Sequence, residues 1–551
     1  MNAETFIKMF EESFRKNFNR PALTDYGTTT SFTYGELAQK IAKLHLLFQE
    51  CNIQQGDKIA LIGRNTTHWS IVHLATITYG AVIVPILQDF NPNDVGHIIN
   101  HSESKLLFCS NSIWESLDED KLLHIKGSLS MVSWQVFFQR DGERLDTSVA
   151  QLDDKFNEKY PKGFSAKDIV YSDLPDSEVL VLNYTSGTTG FSKGVMITGG
   201  NLKGNMDFGW VTFNLQPGDR MLSFLPLAHT YGAAFDYQYA LTAGCDIFLL
   251  GKAPAPKILM QAFADVKPTL IIAVPMILEK IYRKMIIPLL GKKVINWVLS
   301  IPVLDNQIYA QIRKKLVAAM GGRFIQVIIG GAPLNSEVED FLLRIKFPVS
   351  VGYGMTECAP LISFSTCPQF VPHSCGKVLK VMEARIDSPD PQNIVGEIQV
   401  RGQNVMKGYY KNEEATQAVF TEDGWLKTGD LGTLDANNTL FIRGRSKSMI
   451  LSSNGQNIYP EEIEAKLDNL PFVMESLVVE RNKKLVALVY PDYDAVDATG
   501  LTADDLPLIM EQNLKTLNDM VAAYEKIGEI QLYPNEFEKT PKKSIKRYLY
   551  Q

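Results

Sequence analysis

Short apolar, β-branched runs alternate with helix-patterned stretches through the first three-fifths of the chain, and this alternation limits the fold more than any other feature. Lys58-Ile-Ala-Leu-Ile62 reads as a buried strand, a helix follows near Trp69 to Tyr79, and Ala81-Val-Ile-Val-Pro85 is a second strand. Strand–helix–strand order of this kind implies a parallel sheet covered by helices, an α/β class. The same texture returns at 104–108, 180–182, 220–224, 246–249 and 270–274. Phe324-Ile-Gln-Val-Ile-Ile329 is a further strand running into Gly330-Gly-Ala-Pro333. Ahead of them all, an amphipathic helix opens near Phe32 and runs to about Gln49, with Leu37, Ile41, Leu44 and Phe48 at helical spacing.

A chain of 551 residues predicts three or four compact units at about 150 residues each. With 45% hydrophobic and 21% charged residues it can bury large cores. The net charge of −7 is spread out, which argues against a nucleic-acid partner. Six cysteines without C-x-x-C spacing read as reduced, mostly buried thiols of a cytoplasmic protein. Met1-Asn-Ala-Glu-Thr5 has no basic, apolar leader pattern. The most apolar windows, such as 269–278, are too short to span a bilayer, so membrane contact is expected to be peripheral only, at an inner face.

A helical, lysine-rich stretch is expected between Arg283 and Met320. From about Val381 the pattern changes to short β segments at 383–386, 396–400 and 439–442, which reads as a small antiparallel unit. Beyond Gly444-Arg-Ser-Lys447 the expected order is helix 460–470, strands 476–480 and 484–490, and helix 506–523. The boundary is drawn at Lys447, giving units 1–446 and 447–551, the second a small α+β domain.

Chemistry concentrates in a few places. Tyr184 to Val195 reads Y-T-S-G-T-T-G-F-S-K-G-V behind the apolar run Glu178-Val-Leu-Val-Leu-Asn183. Its glycines let amide N–H groups form a concave nest for phosphate oxygens, its hydroxyls add donors, and Lys193 adds a point charge. A mobile surface loop is the bland alternative, and the crowding of hydroxyls with one lysine behind a strand favours phosphate. Gly190 leads into Phe191-Ser192 and not Gly-Lys-Ser/Thr, so this is not a Walker A loop. Gly352-Tyr-Gly-Met-Thr-Glu357 follows the strand Pro348-Val-Ser-Val351, at the carboxyl end where α/β sheets bind ligands. Tyr353 there can lie against a flat base, and Glu357 can hold Mg²⁺ beside phosphates. In Gly424-Trp-Leu-Lys-Thr-Gly-Asp430 an aspartate in a glycine-flanked turn can accept from a ribose diol. Arg445 offers a planar fork of donors, and His229 in Leu227-Ala-His-Thr-Tyr-Gly232 reads as pocket lining.

Taken in order, Y-T-S-G-T-T-G-x-x-K-G-V, G-G-A-P-L, G-Y-G-M-T-E, W-x-x-T-G-D and G-R-x-K-x-x-I resemble the AMP-forming adenylating enzymes, and among them the long-chain fatty acyl-CoA synthetases. The resemblance runs from Thr33-Tyr-Gly-Glu-Leu37 to the C-terminus. It implies a large N-terminal domain of two α/β sheets and a β-barrel-like unit, with a small mobile C-terminal domain. It also implies ATP, Mg²⁺ and coenzyme A, used in two half-reactions: carboxylate to acyl-AMP and pyrophosphate, then thioester and AMP. By matching motifs, Thr185, Ser186, Gly187, Thr188, Thr189, Gly190 and Lys193 would hold the outer phosphates. Gly331, Ala332, Pro333 and Tyr353 would frame the adenine, Thr356 would meet the α-phosphate, and Glu357 the metal. Asp430 and Arg445 would bind the ribose, Lys447 would be the hinge, Gly455 would line the pantetheine tunnel, and Tyr231 and Gly330 would join His229 in the acyl pocket.

Two departures stand out. The family places its adenylation lysine in a context like P-K-T-x-x-G-K-I-x-R, where this chain reads Phe537-Glu-Lys-Thr-Pro-Lys-Lys-Ser-Ile-Lys-Arg547 and puts Ser544 in the lysine's slot. Lys543 is taken for the role, with Lys542 and Lys546 as alternatives. Thr198-Gly-Gly-Asn201 lacks a histidine usual before the asparagine and reads as minor. The expected activity is a fatty acid–CoA ligase. Transfer to an acyl carrier protein is the runner-up, and a nucleotide-binding protein without synthetase activity is the third reading, prompted by Ser544.

Overall fold

The computed structural model describes residues 4–185, 192–287, 304–451, 456–482, 484–540 and 545–550. They fall into two compact units: residues 1–334, 341–383 and 401–426 in the first, and 335–340, 384–400 and 427–551 in the second.

The expected strands of the first unit divide between two sheets. One has eight strands, in the order Gly408–Tyr409, Lys193–Thr198, Val179–Thr185, Val82–Ile86, Lys58–Ile62, Leu106–Cys109, Gly127–Ser130 and Val136–Gln139. Its centre is parallel, with Ile59 opposite both Ile83 and Leu106 and Ile83 opposite Val181. Antiparallel strands finish both edges. The second sheet orders Arg220–Ser223, Asp246–Leu249, Pro21–Asp25 and Ser31–Thr33. A parallel bridge from Met221 to Leu270 continues it towards Ile271–Ala273, Val327–Ile329 and Val349–Val351, which pair in parallel. The last-but-one strand begins at Val327, three residues later than its apolar run predicts. Gly321 and Gly322, both at positive φ, carry the chain out of the preceding helix just before it.

Local rules account for the helices. Tyr34–Glu50 starts with a capping box, in which the Glu36 N–H donates to Thr33 Oγ1 at 3.2 Å and the Thr33 N–H to Glu36 Oε2 at 2.7 Å. It buries Leu37, Ile41, Leu44 and Phe48, the spacing read from the sequence. Thr67–Tyr79 is buried nearly all round and ends at Gly80, whose φ of 92° closes it in the left-handed region. Of the stretch expected to be helical between Arg283 and Met320, Leu304–Ala319 is a helix, and 288–303 lies outside the described residues.

In the second unit, Met382–Asp387, Gly396–Gly402, Leu426–Leu434 and Leu440–Arg445 form a four-stranded sheet. Val473–Arg481, Lys484–Pro491 and Ile527–Leu532 form a three-stranded one. The period of two sorts the latter's side chains. Val478, Leu485, Ala487 and Val489 pack with Ile463, Leu467, Leu506 and Leu517 of the helices Pro460–Leu467 and Leu506–Met520. Leu477, Val479, Val486 and Leu488 pack on the other face with Phe537 and Tyr550. Arg547 ties the tail down with paired 2.8 Å bonds to Glu464 and a 3.0 Å bond to the Val478 carbonyl. Among the described residues no helix is long and apolar enough to cross a membrane.

Candidate nucleotide and acyl site

The motif from Tyr184 to Val195 joins two antiparallel strands. Val179–Thr185 pairs antiparallel with Lys193–Thr198, and Thr185 stands opposite Lys193. Ser186, Gly187, Thr188, Thr189 and Gly190 lie outside the described residues. The returning strand has a clear reason for its glycine. A Cβ on Gly194 would sit 3.1 Å from the Tyr184 ring, which crosses above it to place its hydroxyl 2.7 Å from His101 Nδ1. The motif's first and penultimate signature residues are therefore a packing pair that fixes the hairpin.

Lys193 and Glu357 come together around a residue that no motif flagged. The Lys193 ammonium lies 5.0 Å from the centre of the Tyr409 ring, and the Tyr409 hydroxyl donates to Glu357 Oε1 at 2.9 Å. Burial, and then the Glu357 charge, push the Tyr409 hydroxyl's pKa well up, so it stays a donor. The Glu357 carbonyl accepts from the Met406 N–H at 2.8 Å. Thr356 is buried at the start of the turn Thr356–Cys358. Thr198 and Asn201, read as minor, are a working joint. They make the capping box of Gly199–Thr212, and the Asn201 amide donates to the carbonyls of Gln403 and Val405 at 2.8 and 2.9 Å. That holds the segment leading to Tyr409.

The parallel strands Val327–Ile329 and Val349–Val351 deliver Gly330, Gly331 and Tyr353 to their carboxyl ends. There an apolar cavity of about 40 Å³ is lined by Phe208, Phe213, His229, Tyr231, Tyr353 and Phe364, with Gly330 and Gly331 at its wall. The Tyr231 hydroxyl donates to the Ile328 carbonyl at 3.1 Å, and a Cβ on Gly330 would meet its ring at 2.9 Å. His229 Nδ1 accepts from the Tyr231 N–H at 3.3 Å. Ala332 and Pro333 follow, exposed.

In the second unit Asp430 lies in the strand Leu426–Leu434, directly across from Arg445, and not in the turn that its glycines predict. Gly429 takes φ 75°, a shift of register follows at Leu431/Gly432, and a Cβ on Gly432 would run into the Phe441 carbonyl. The glycines serve a kinked strand in close contact with its neighbour. Arg445 Nε is 3.3 Å from Asp430 Oδ1, and Lys447 lies two residues on, exposed. Gly455, Lys542, Lys543 and Ser544 fall outside the described residues. The base of their tail segment is an antiparallel bridge between Lys539 and Ile545. Lys546 pairs with Glu538 at 3.4 Å, and Lys539 with Glu475.

The first unit thus holds a hairpin with Lys193 at its root, the Glu357 carboxylate bonded to Tyr409, and an apolar cavity at neighbouring strand ends. The family model for the AMP-binding enzyme matches residues 10–410. The chain belongs to the AMP-binding enzyme family. It is 28% identical over 573 aligned positions to the long-chain-fatty-acid–CoA ligase FadD15 of Mycobacterium bovis, covering 95% of this chain and 90% of that protein. It is 31% identical to the peroxisomal long chain acyl-CoA synthetase 7 of Arabidopsis thaliana, covering 85% of this chain and 69% of that one. Its fold matches the ATP-bound crystal structure of MatB from Rhodopseudomonas palustris with a TM-score of 0.76 at 23% identity, over 100% of this chain and 98% of that one. As in that family, the α/β sheets sit in a large N-terminal part and a smaller unit follows.

Two kinds of residue escaped the sequence. Tyr409 sits on a strand of two residues, too short for any periodicity. The phenylalanines of the cavity are scattered over more than 150 positions, and only the fold gathers them.

Proposed function

We propose that this protein is an AMP-forming long-chain fatty acyl-CoA synthetase. A carboxylate oxygen of the fatty acid bonds to the α-phosphorus of ATP as the bond to pyrophosphate breaks. The sulfur of coenzyme A then bonds to the acyl carbon, the carbon–oxygen bond to AMP breaks, and the thiol proton passes to solvent. The observation that carries the reading is the grouping of Lys193 and Glu357 at the root of the hairpin, in a unit whose strand ends also hold a phenylalanine-lined cavity.

Each part has a physical task. Thr185, the hairpin loop and Lys193 offset the repulsion between the phosphates and an incoming carboxylate. Glu357 supplies the hard oxygen donor that Mg²⁺ accepts beside phosphate oxygens. Among the described residues no group of three or more His, Cys, Asp or Glu is gathered for a metal. Magnesium, when present, supplies charge neutralisation on the polyphosphate. Gly331, Ala332, Pro333 and Tyr353 would seat the base, Thr356 the α-phosphate, and Asp430 with Arg445 the ribose. His229, Tyr231 and Gly330 would border the acyl group. Lys447 would act as the hinge between half-reactions, with Gly455 along the coenzyme A path.

Pyrophosphate release over acids from two to eighteen carbons, with coenzyme A and a holo-carrier protein as alternative acceptors, tests the reading. Activity rising with chain length and with coenzyme A is expected. Turnover only with aromatic or amino acids, or only with the carrier, would overturn it, as would tight ATP binding without pyrophosphate exchange. Replacing Lys543 with alanine is expected to abolish acyl-AMP formation and to spare thioester formation from supplied acyl-AMP. If single changes at Lys542, Lys543 and Lys546 all leave adenylation intact, the tail lysine has no such role.

A further inference from the structure

We propose that Tyr409 is a positioning residue for nucleotide binding: its hydroxyl tethers the Glu357 carboxylate and its ring holds Lys193 away from that carboxylate, so both charges stay available to the metal and the phosphates. The inference rests on the reading of Glu357 and Lys193 given above.

An ammonium and a carboxylate that face one small site tend to pair directly. Among the described residues no ion pair joins Lys193 to Glu357: the ammonium lies over the Tyr409 ring, 5.0 Å from its centre, and the carboxylate accepts from the hydroxyl of the same residue at 2.9 Å. The register explains how it gets there. Tyr409 pairs with Val195, and Val195 lies two residues from Lys193, so all three share one face of the sheet. The backbone on either side is knitted to the same strand. Lys407 N–H donates to the Met196 carbonyl at 3.0 Å, and Tyr410 N–H to the Gly194 carbonyl at 2.8 Å. Gly408 adopts φ 139°, and a Cβ there would press on Thr416, whose Oγ1 accepts the Tyr409 N–H at 2.9 Å. Tyr409 is 7% exposed. A side chain so buried, on backbone so tied, can hold an ammonium at its face and a carboxylate at its hydroxyl in separate fixed places.

The test uses the full chain and reads ATP binding by calorimetry with and without Mg²⁺, beside the Mg²⁺ dependence of pyrophosphate release. Tyr409→Phe keeps the ring and removes the tether. Metal-free ATP binding is expected to hold within about twofold, while the extra affinity conferred by Mg²⁺ falls about tenfold, the usual worth of a hydrogen bond to a charged group. Tyr409→Met removes the spacer, and metal-free ATP binding is then expected to weaken as well, because Lys193 and Glu357 pair with each other. An unchanged melting curve and far-UV circular dichroism spectrum report that each variant is folded. Glu357→Gln separates the two levels of the argument. If it abolishes the Mg²⁺ increment and Tyr409→Phe leaves that increment intact, the tether is refuted and the reading of Glu357 stands. If Glu357→Gln keeps the increment, Glu357 does not hold the metal and the inference falls with it. Unchanged metal-free binding in a folded Tyr409→Met protein refutes the spacer.

Discussion

The two units differ in the titratable groups that they bury. All eight histidines of the chain lie in the first, and several are enclosed among rings as neutral imidazoles. Trp69 stacks on His73 at 5.0 Å, and His45 packs against Tyr79 and Tyr171. The second unit holds no histidine and fastens its tail with a carboxylate and a guanidinium, Glu464 and Arg547. Neutral groups buried among aromatics cost little at neutral pH and become a liability in acid. A buried charge pair depends wholly on its partner. The two units should therefore fail under different insults.

The largest expected effect is on the second unit. Glu464→Leu leaves Arg547 and the Val478 N–H, which donates to Glu464 at 2.6 Å, without their acceptor. A loss of about 3 kcal/mol is expected for breaking one side of such a pair. Hydrogen exchange should report it as lost protection in Val473–Arg481 and Lys484–Pro491. The double change Glu464→Leu with Arg547→Met should recover most of it, and no recovery would mean that the pair is not what anchors the tail.

Acid should break the first unit in preference. Burial lowers the pKa of His45 to about 4 and of His73 to about 3, against 6.5 when exposed. Protons thus bind the unfolded chain more readily. The stability contributed by the neutral rings is complete above about pH 6.5, falls as the pH drops through that value, and levels off below the folded-state values. Over the two pH units from 6.5 to 4.5 each ring accounts for up to about 3 kcal/mol by this linkage. Between pH 6.5 and 4.5, exchange protection should fall around Thr67–Tyr79 and hold in Leu506–Met520. Equal loss in both would show that the histidines do not set acid sensitivity.

A smaller effect is expected at Gly330→Ala. Its new Cβ meets a Tyr231 ring that cannot retreat, because the hydroxyl is bonded to the Ile328 carbonyl. About 1–3 kcal/mol of overpacking follows. Fatty-acid turnover should fall much more than ATP binding, since the clash is at the cavity wall. An unchanged melting temperature would show that the ring does yield.

Much of this was legible in the sequence where one rule acts alone. Lys58–Ile62 was read to the residue, since a buried parallel strand is a continuous apolar run. The helix Tyr34–Glu50 announced itself by its apolar spacing. Reading failed where glycine has two meanings. Gly424 and Gly429 suggest a turn around Asp430, whereas Gly429 and Asp430 belong to a bulged strand, because chain reversal and close strand contact both call for a missing side chain. Lys193–Thr198 was hidden inside a motif already assigned to phosphate. The division into two sheets depends on which strands pair, a long-range matter that local pattern does not encode. The grouping of Lys193, Tyr409 and Glu357 spans more than 200 positions and emerges only from that pairing.

The smallest expected effect on stability is at the Asp430–Arg445 pair, the exposed counterpart of the buried Glu464–Arg547. The Arg445 side chain is 71% exposed, and an ion pair so wet contributes less than about 1 kcal/mol. Arg445→Ala should therefore leave the melting curve nearly unmoved, even at low salt. Ligand binding gives the opposite expectation if the pair serves the ribose. Asp430→Asn keeps the shape and removes the charge that strengthens acceptance from a diol, so AMP affinity should drop about tenfold at constant stability. The 2′,3′-dideoxy nucleotide, which offers no diol, should bind both proteins alike. A variant that melts normally and still prefers the ribose diol would show that Asp430 only positions Arg445, whereas equal loss of stability and affinity would make the pair structural, as Glu464 and Arg547 are.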